Sequence, residues 1–245
     1  MNNLLLQLGL DIPFAEAQIE IHQPKLNEIA LVDESTVFNA CFFIDFSKDL
    51  LSQQDRNDLD NKSNFEIFMS VMCTKESIKL RNQVLILFTL LFPEYKINIE
   101  KDKISLIHFN TNKISYINNQ NYDVFKNIIN KIFCLEDLKK SSKTYNPADE
   151  RARKIAEKLN KRKNKDNVNN EEKRMDSLLD QYISILSVGL QKDKNSFSNY
   201  TMYQILDEYN RFQAKVSYDA YVQARIAGAE NLDEVDHWMM NNIHS

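Results

Sequence analysis

Glycine stands at three positions in 245 residues, Gly9, Gly189 and Gly228. Average usage near 7% would give about 17. Backbone that must approach a phosphate closely, or turn sharply under a nucleophile, needs clustered glycines. P-loops, dinucleotide-binding fingerprints and nucleophile elbows are therefore excluded by arithmetic. Four prolines point the same way, toward long helices with few tight turns. Hydrophobic residues at 43% and charged residues at 27% suffice for a buried core. The length allows one large or two small domains.

Periodicity predicts the elements. Gln18-Ile19-Glu20-Ile21-His22 alternates polar and apolar as a half-buried strand does, and Gln23-Pro24 ends it. A short helical turn is expected over 25–31. Asp33 or Ser35 then caps a helix carrying Val37, Phe38, Cys41, Phe42 and Phe46. Helices follow over 64–74 and 76–91, the second apolar nearly all round and so central to the core. The period changes to two in Tyr95–Ile99, Ile104–Phe109 and Ile114–Ile117, which predicts a three-stranded antiparallel meander. A helix over 121–134 closes the unit. Asn146-Pro147-Ala148-Asp149 starts a further helix. Its residues 151–165 carry eight cations against Glu157 alone, a surplus of seven in a chain of net charge −4. Beyond a polar stretch at 164–170, apolar stripes predict helices from Met175 to Leu190 and from Ser196 to a stop at Gly228. A last helix is capped by Asn231, with Leu232, Val235, Trp238 and Met239 on one face.

The predicted fold is α+β, mainly α. It comprises an N-terminal α+β domain over 1–138, a helical domain with a small antiparallel meander. A basic helix and flexible linker follow over 139–173, then an all-helical C-terminal domain over 174–245.

Little catalytic chemistry is in view. Cys41, Cys73 and Cys134 are odd in number, widely spaced and flanked by apolar residues. They read as buried, reduced thiols of a cytoplasmic protein, with no CxxC pair for zinc. Four histidines form no HExxH, and Asp233, Asp236 and His237 read as a solvated surface. No nucleophile–base pair is marked, and Asp58 and Asp60 lack the rest of a calcium loop. No catalytic, cofactor-binding or metal-binding residue is expected, and no enzyme. Met1-Asn2-Asn3 lacks a charged leader, and the longest apolar run, Val84 to Phe92, is too short to span a bilayer.

Two features can carry binding. The basic patch of Arg151, Lys154, Lys158, Lys161 and Arg162 can neutralise phosphates, dock an acidic partner or simply be solvated. Without interleaved aromatics, base stacking is not expected of it. Leu232, Val235, Trp238 and Met239 combine residue types favoured at interfaces, and packing on the preceding helix is the alternative.

Ile19-Glu20-Ile21-His22-Gln23-Pro24-Lys25-Leu26-Asn27-Glu28-Ile29-Ala30 resembles the start of tail assembly chaperones from bacteriophages of Gram-positive hosts. The order of a compact first domain, the 146–152 helix start, a basic linker and a small helical region ending in Trp-Met adds to the likeness. The resemblance implies a non-enzymatic protein of the infected host cytoplasm. Such a protein coats the tape measure protein until tail-tube subunits polymerise around it. Some members have a long form, made by frameshifting, whose extra domain recruits tube protein; here that division would fall near 160–172. The implied partners are the tape measure and tail-tube proteins, with a homo-oligomer open and no membrane. A nucleic-acid-associated phage protein using the 151–165 helix and a structural tail or baseplate component are the rival readings.

Overall fold

The computed structural model describes residues 3–47, 61–74, 77–141, 177–230, 232 and 234–239. It is mainly helical, as the periodicity predicts, with two small antiparallel sheets, of which the three-stranded meander was expected and the two-stranded hairpin was not. Helix α1 (Asn3–Leu8) leads into a hairpin of β1 (Ile12–Phe14) and β2 (Ile19–Ile21), joined by a 3₁₀ turn over Ala15–Ala17. The register pairs Ile12 with Ile21, Pro13 with Glu20 and Phe14 with Ile19. Pleating then sends Ile12, Phe14, Ile19 and Ile21 into the core and turns Pro13 and Glu20 to solvent. Proline fits β1 because a two-stranded hairpin has only edges. Neither α1 nor β1 is legible in the sequence, since residues 1–17 hold no sustained period.

Two helices follow. α2 (Leu26–Val32) ends at Asp33, whose φ of 77° lies in the left-handed region; its carboxylate accepts the Thr36 N–H and so caps α3 (Glu34–Ile44). α3 does not bury the stripe predicted for it: Val37, Ala40, Cys41 and Ile44 go inside, while Phe42 stays 42% exposed. Ser63 and Glu66 form a capping box at the start of α4 (Asn64–Met72). α5 (Ile78–Leu91) packs along α3 and buries Val84, Leu87, Phe88 and Leu91, the central role its apolar run predicts. Strands β3 (Tyr95–Ile99), β4 (Ile104–His108) and β5 (Ile114–Ile117) make the expected meander in that order. α6 (Tyr122–Ile132) closes it, and α7 (Leu135–Ser141) follows. Phe125 is the aromatic hub, with Phe14, Phe88 and Phe92 ring centroids 6.1, 5.4 and 6.2 Å away.

The C-terminal part is helical: α8 (Leu178–Leu190), a 3₁₀ turn over Lys194–Phe197, and α9 (Met202–Ile226). α9 starts later than expected because Thr201, not Ser196 or Ser198, is its N-cap. Thr201 and Gln204 exchange backbone and side-chain hydrogen bonds at 2.9 and 3.3 Å. Gly228, with φ of 85°, stops it as predicted. The connector drawn at 139–173 and the basic helix fall almost entirely outside the described residues. Apolar packing nevertheless runs across them. Leu179, Tyr182, Leu186, Phe197, Met202 and Ile205 belong to the same buried cluster as Phe14, Val37, Leu87 and Phe125.

Two further expectations fail. Cys73 is exposed, because it is the C-cap of α4, past the last buried turn; Cys41 and Cys134 are buried. No final helix forms over the described residues between 229 and 239, which hold only a turn at Trp238-Met239. The Met239 N–H goes to Nδ1 of His237, 3.2 Å, rather than to a carbonyl four residues back. Such local side-chain bonds compete with helix.

Candidate protein-binding surfaces

The segment that carries the resemblance is a structural junction. Gln23 is fully buried, and its Nε2 donates to the carbonyls of Leu5, at 2.9 Å, and Leu10, tying α1 to the end of β2. Lys25 forms an isolated bridge with Thr201. The Leu26 N–H donates to the Tyr200 carbonyl at 2.8 Å and the Asn27 N–H to that of Ser198 at 3.0 Å. Glu28 caps its own helix through the Lys25 N–H, 2.7 Å. One short motif thus gathers α1, the hairpin, α2 and the start of α9. Glu34 adds a second tie, accepting the Leu179 N–H at 3.3 Å and the Ser177 hydroxyl at the start of α8.

α9 leaves the body soon after this junction. Its buried residues, Met202, Tyr203, Ile205, Leu206 and Asp207, all lie in the first two turns. α8 covers it as far as Phe212, which packs on Gly189. From there the helix runs 14 residues to Ile226 with Val216 49% and Ile226 81% exposed. After Gly228 the chain returns along this arm: the His237 ring meets Tyr218 edge-on at 4.6 Å and Trp238 stacks on His237 at 5.9 Å. Of the residues expected to form one helical face, Trp238 alone is half-buried, while Leu232, Val235 and Met239 face solvent from irregular chain. Tyr218 anchors the tail. Arg151, Lys154, Lys158, Lys161 and Arg162 lie outside the described residues.

A second surface arises from the hairpin. Continuing its register past Ile12–Ile21 places Asp11 beside His22, on the same outer face as Pro13 and Glu20. His22 Nδ1 is 2.9 Å from Asp11 and its Nε2 3.2 Å from Glu28. Its backbone N–H donates to the Leu91 carbonyl at 2.9 Å, pinning the hairpin to the C-terminal end of α5. Between them lies a groove of about 760 Å³. Pro93 and Tyr95 line it from the α5–β3 side and Pro13 and Ala15 from the hairpin, with Asp11, Glu20 and Glu94 also lining it, while the side chains of Ile19, Leu91 and Phe92 are buried beneath. Burial raises the pKa of the Tyr95 phenol, and the Glu94 and Glu20 carboxylates raise it further. His108 sits against Glu94, at 3.3 Å, and against the Tyr95 ring. The alternation at 18–22 was the available signal; the partner wall comes from residues some 70 positions away in the chain.

Among the described residues no helix is long and apolar enough to cross a membrane. Neither a curated protein nor a solved structure matches the chain. Residues 163–243 match the family described as the YomV second domain, and this similarity suggests a phage-derived protein family.

Proposed function

We propose that this chain is a non-enzymatic phage tail assembly chaperone. On this reading it binds the tape measure protein and helps recruit tail-tube subunits in the host cytoplasm. The match of residues 163–243 to a phage-associated domain supports the phage setting. The observation that carries the binding role is the arm of α9 with its returning tail. Val216, Ile226, Leu232, Val235 and Met239 offer apolar side chains to solvent around a half-buried Trp238. Scattered exposed apolar residues need no explanation, but their gathering on one projecting element marks an interaction site. An apolar helix stripe is the partner such a surface suits.

The test is co-purification with the tape measure and tail-tube proteins of the same genome. Trp238→Ala should weaken capture of the tape measure protein by about 2 kcal/mol, the scale of an interface hot spot. It should leave thermal unfolding nearly unchanged, since Trp238 rests on His237 outside the main core. Large destabilisation with undiminished capture would make Trp238 a packing residue and remove the arm from the binding surface.

A further inference from the structure

The groove between the hairpin and the α5–β3 junction is built for one kind of occupant. Its accessible apolar surface comes from Pro13, Ala15, Pro93 and Tyr95, and its rim is anionic. Three features concentrate negative potential there. Pleating puts Asp11 and Glu20 on the hairpin's outer face, whereas strict alternation sends the apolar residues inward. Glu94 stands opposite, across the turn that follows α5. The C-terminal residues of α5, Leu91 and its cap Phe92, line the groove, and a helix C-terminus carries partial negative charge. Histidines 22 and 108 pair with Asp11 and Glu94, but no lysine or arginine lines the groove, and Glu20 has no ion-pair partner among the described residues. Lys113 reaches the Gln18 carbonyl, 3.3 Å, from the β5 side and does not enter it. Chain composition repeats the bias, with seven carboxylates and one lysine between residues 3 and 47.

We propose that this groove docks a lysine- or arginine-bearing segment of a partner protein, its cation held among Asp11, Glu20 and Glu94 and its aliphatic stem laid on Tyr95, Pro93 and Pro13. The Tyr95 ring and the two prolines cover the stem, and a long basic side chain is the one type that is apolar along its length and cationic at its tip. An arginine would also stack on the Tyr95 ring. The site is separate from the α9 arm. It rests on the chaperone reading only in that the occupant is a protein.

The probes are two labelled helical peptides of about 18 residues, alike in leucine and alanine but carrying lysine in one and glutamate in the other. Fluorescence anisotropy with the full-length protein should show the lysine peptide binding about tenfold tighter, the preference fading at high salt. Glu20→Lys with Glu94→Lys should abolish that preference, and Glu20→Gln with Glu94→Gln should halve it or more, thermal unfolding being unchanged in both. Glu136→Lys with Glu230→Lys alters net charge equally at distant surfaces and should leave binding as it was. Equal loss in the groove and distant variants would reduce the effect to net charge and overturn the proposal. So would tighter peptide binding after neutralising Arg151, Lys154, Lys158, Lys161 and Arg162, which would make the chain's own basic segment the occupant. Because the peptides do not involve the arm, failed capture of the tape measure protein would sink the chaperone reading and leave this result standing.

Discussion

Gln23 shows how one residue can serve as a joint. Its fully buried amide donates to two carbonyls, those of Leu5 and Leu10. Gln23→Leu removes the donor to the Leu10 carbonyl, while the Leu5 carbonyl keeps the Leu10 N–H at 3.0 Å and the unpartnered Gln23 Oε1 is lost with the amide. The variant should therefore lose about 1 kcal/mol, the net worth of a typical hydrogen bond, in a denaturant titration; no loss would show that α1 is not held this way. The cysteines make a sharper case. Cys73 is exposed, whereas burial raises the thiol pKa of Cys41 well above its usual value and that of Cys134 to about 12. At neutral pH a thiol reagent should label one cysteine promptly and three after unfolding. The raised value also sets a pH window. Below the ordinary thiol value of 9.0 the buried neutral form of Cys134 contributes its full stability. That contribution drains away as pH climbs toward about 12, because the unfolded chain ionises first. Unfolding free energy should thus fall with rising pH above about 9, and Cys134→Ala should flatten part of the slope.

At the scale of the element, α9 is two structures in one helix. Its 25 residues span about 37 Å, yet all its buried side chains fall between Met202 and Asp207. Phe212 is the last firm crossing point with α8, and it needs Gly189. A Cβ at 189 would stand 2.2 Å from the Phe212 ring, a distance no real contact shows. The ring cannot simply swing away without opening the α8–α9 contact, so Gly189→Ala should cost about 1–3 kcal/mol, the scale of overpacking. Unchanged thermal stability would mean that the arm is free to shift. Beyond Phe212 only the tail covers the helix among the described residues. Backbone amides over 213–226 should therefore exchange with solvent faster than those over 203–208, because local opening there breaks few buried contacts.

Over the whole molecule, the decisive fact is that residues on both sides of the connector share one core. Trypsin should cut first between Lys158 and Arg174, where lysines and arginines are dense in the sequence. The two products should still travel together in gel filtration and separate only in denaturant. Leu179, Leu186, Phe197 and Met202 are buried in the common cluster, and the Leu26 and Asn27 amides bond to the carbonyls of Tyr200 and Ser198. Fragments that part under native conditions would make the C-terminal helices a separate body.

Most elements were legible because their residues have a period and the period is local. The meander alternates, α5 is apolar nearly all round, and α6 and α8 carry stripes that need no distant partner to be seen. α1 and β1 were not, since a six-residue helix and a three-residue strand containing proline take their stability from Gln23, Ile19 and Ile21, which the local sequence does not reveal. The final segment was misread for the converse reason. Its helical pattern is real, but the His237 ring turns to Tyr218 and accepts the Met239 N–H instead. Sequence alone therefore determined the class of fold, the lack of phosphate-cradling loops and the basic surplus at 151–165. Only tertiary structure decided that Gln23-Pro24 is a joint, that the two ends of the chain share a core, and that Glu94 lines one groove with the hairpin carboxylates Asp11 and Glu20. Those outcomes depend on which surfaces meet in space, and neighbours along the chain do not encode that.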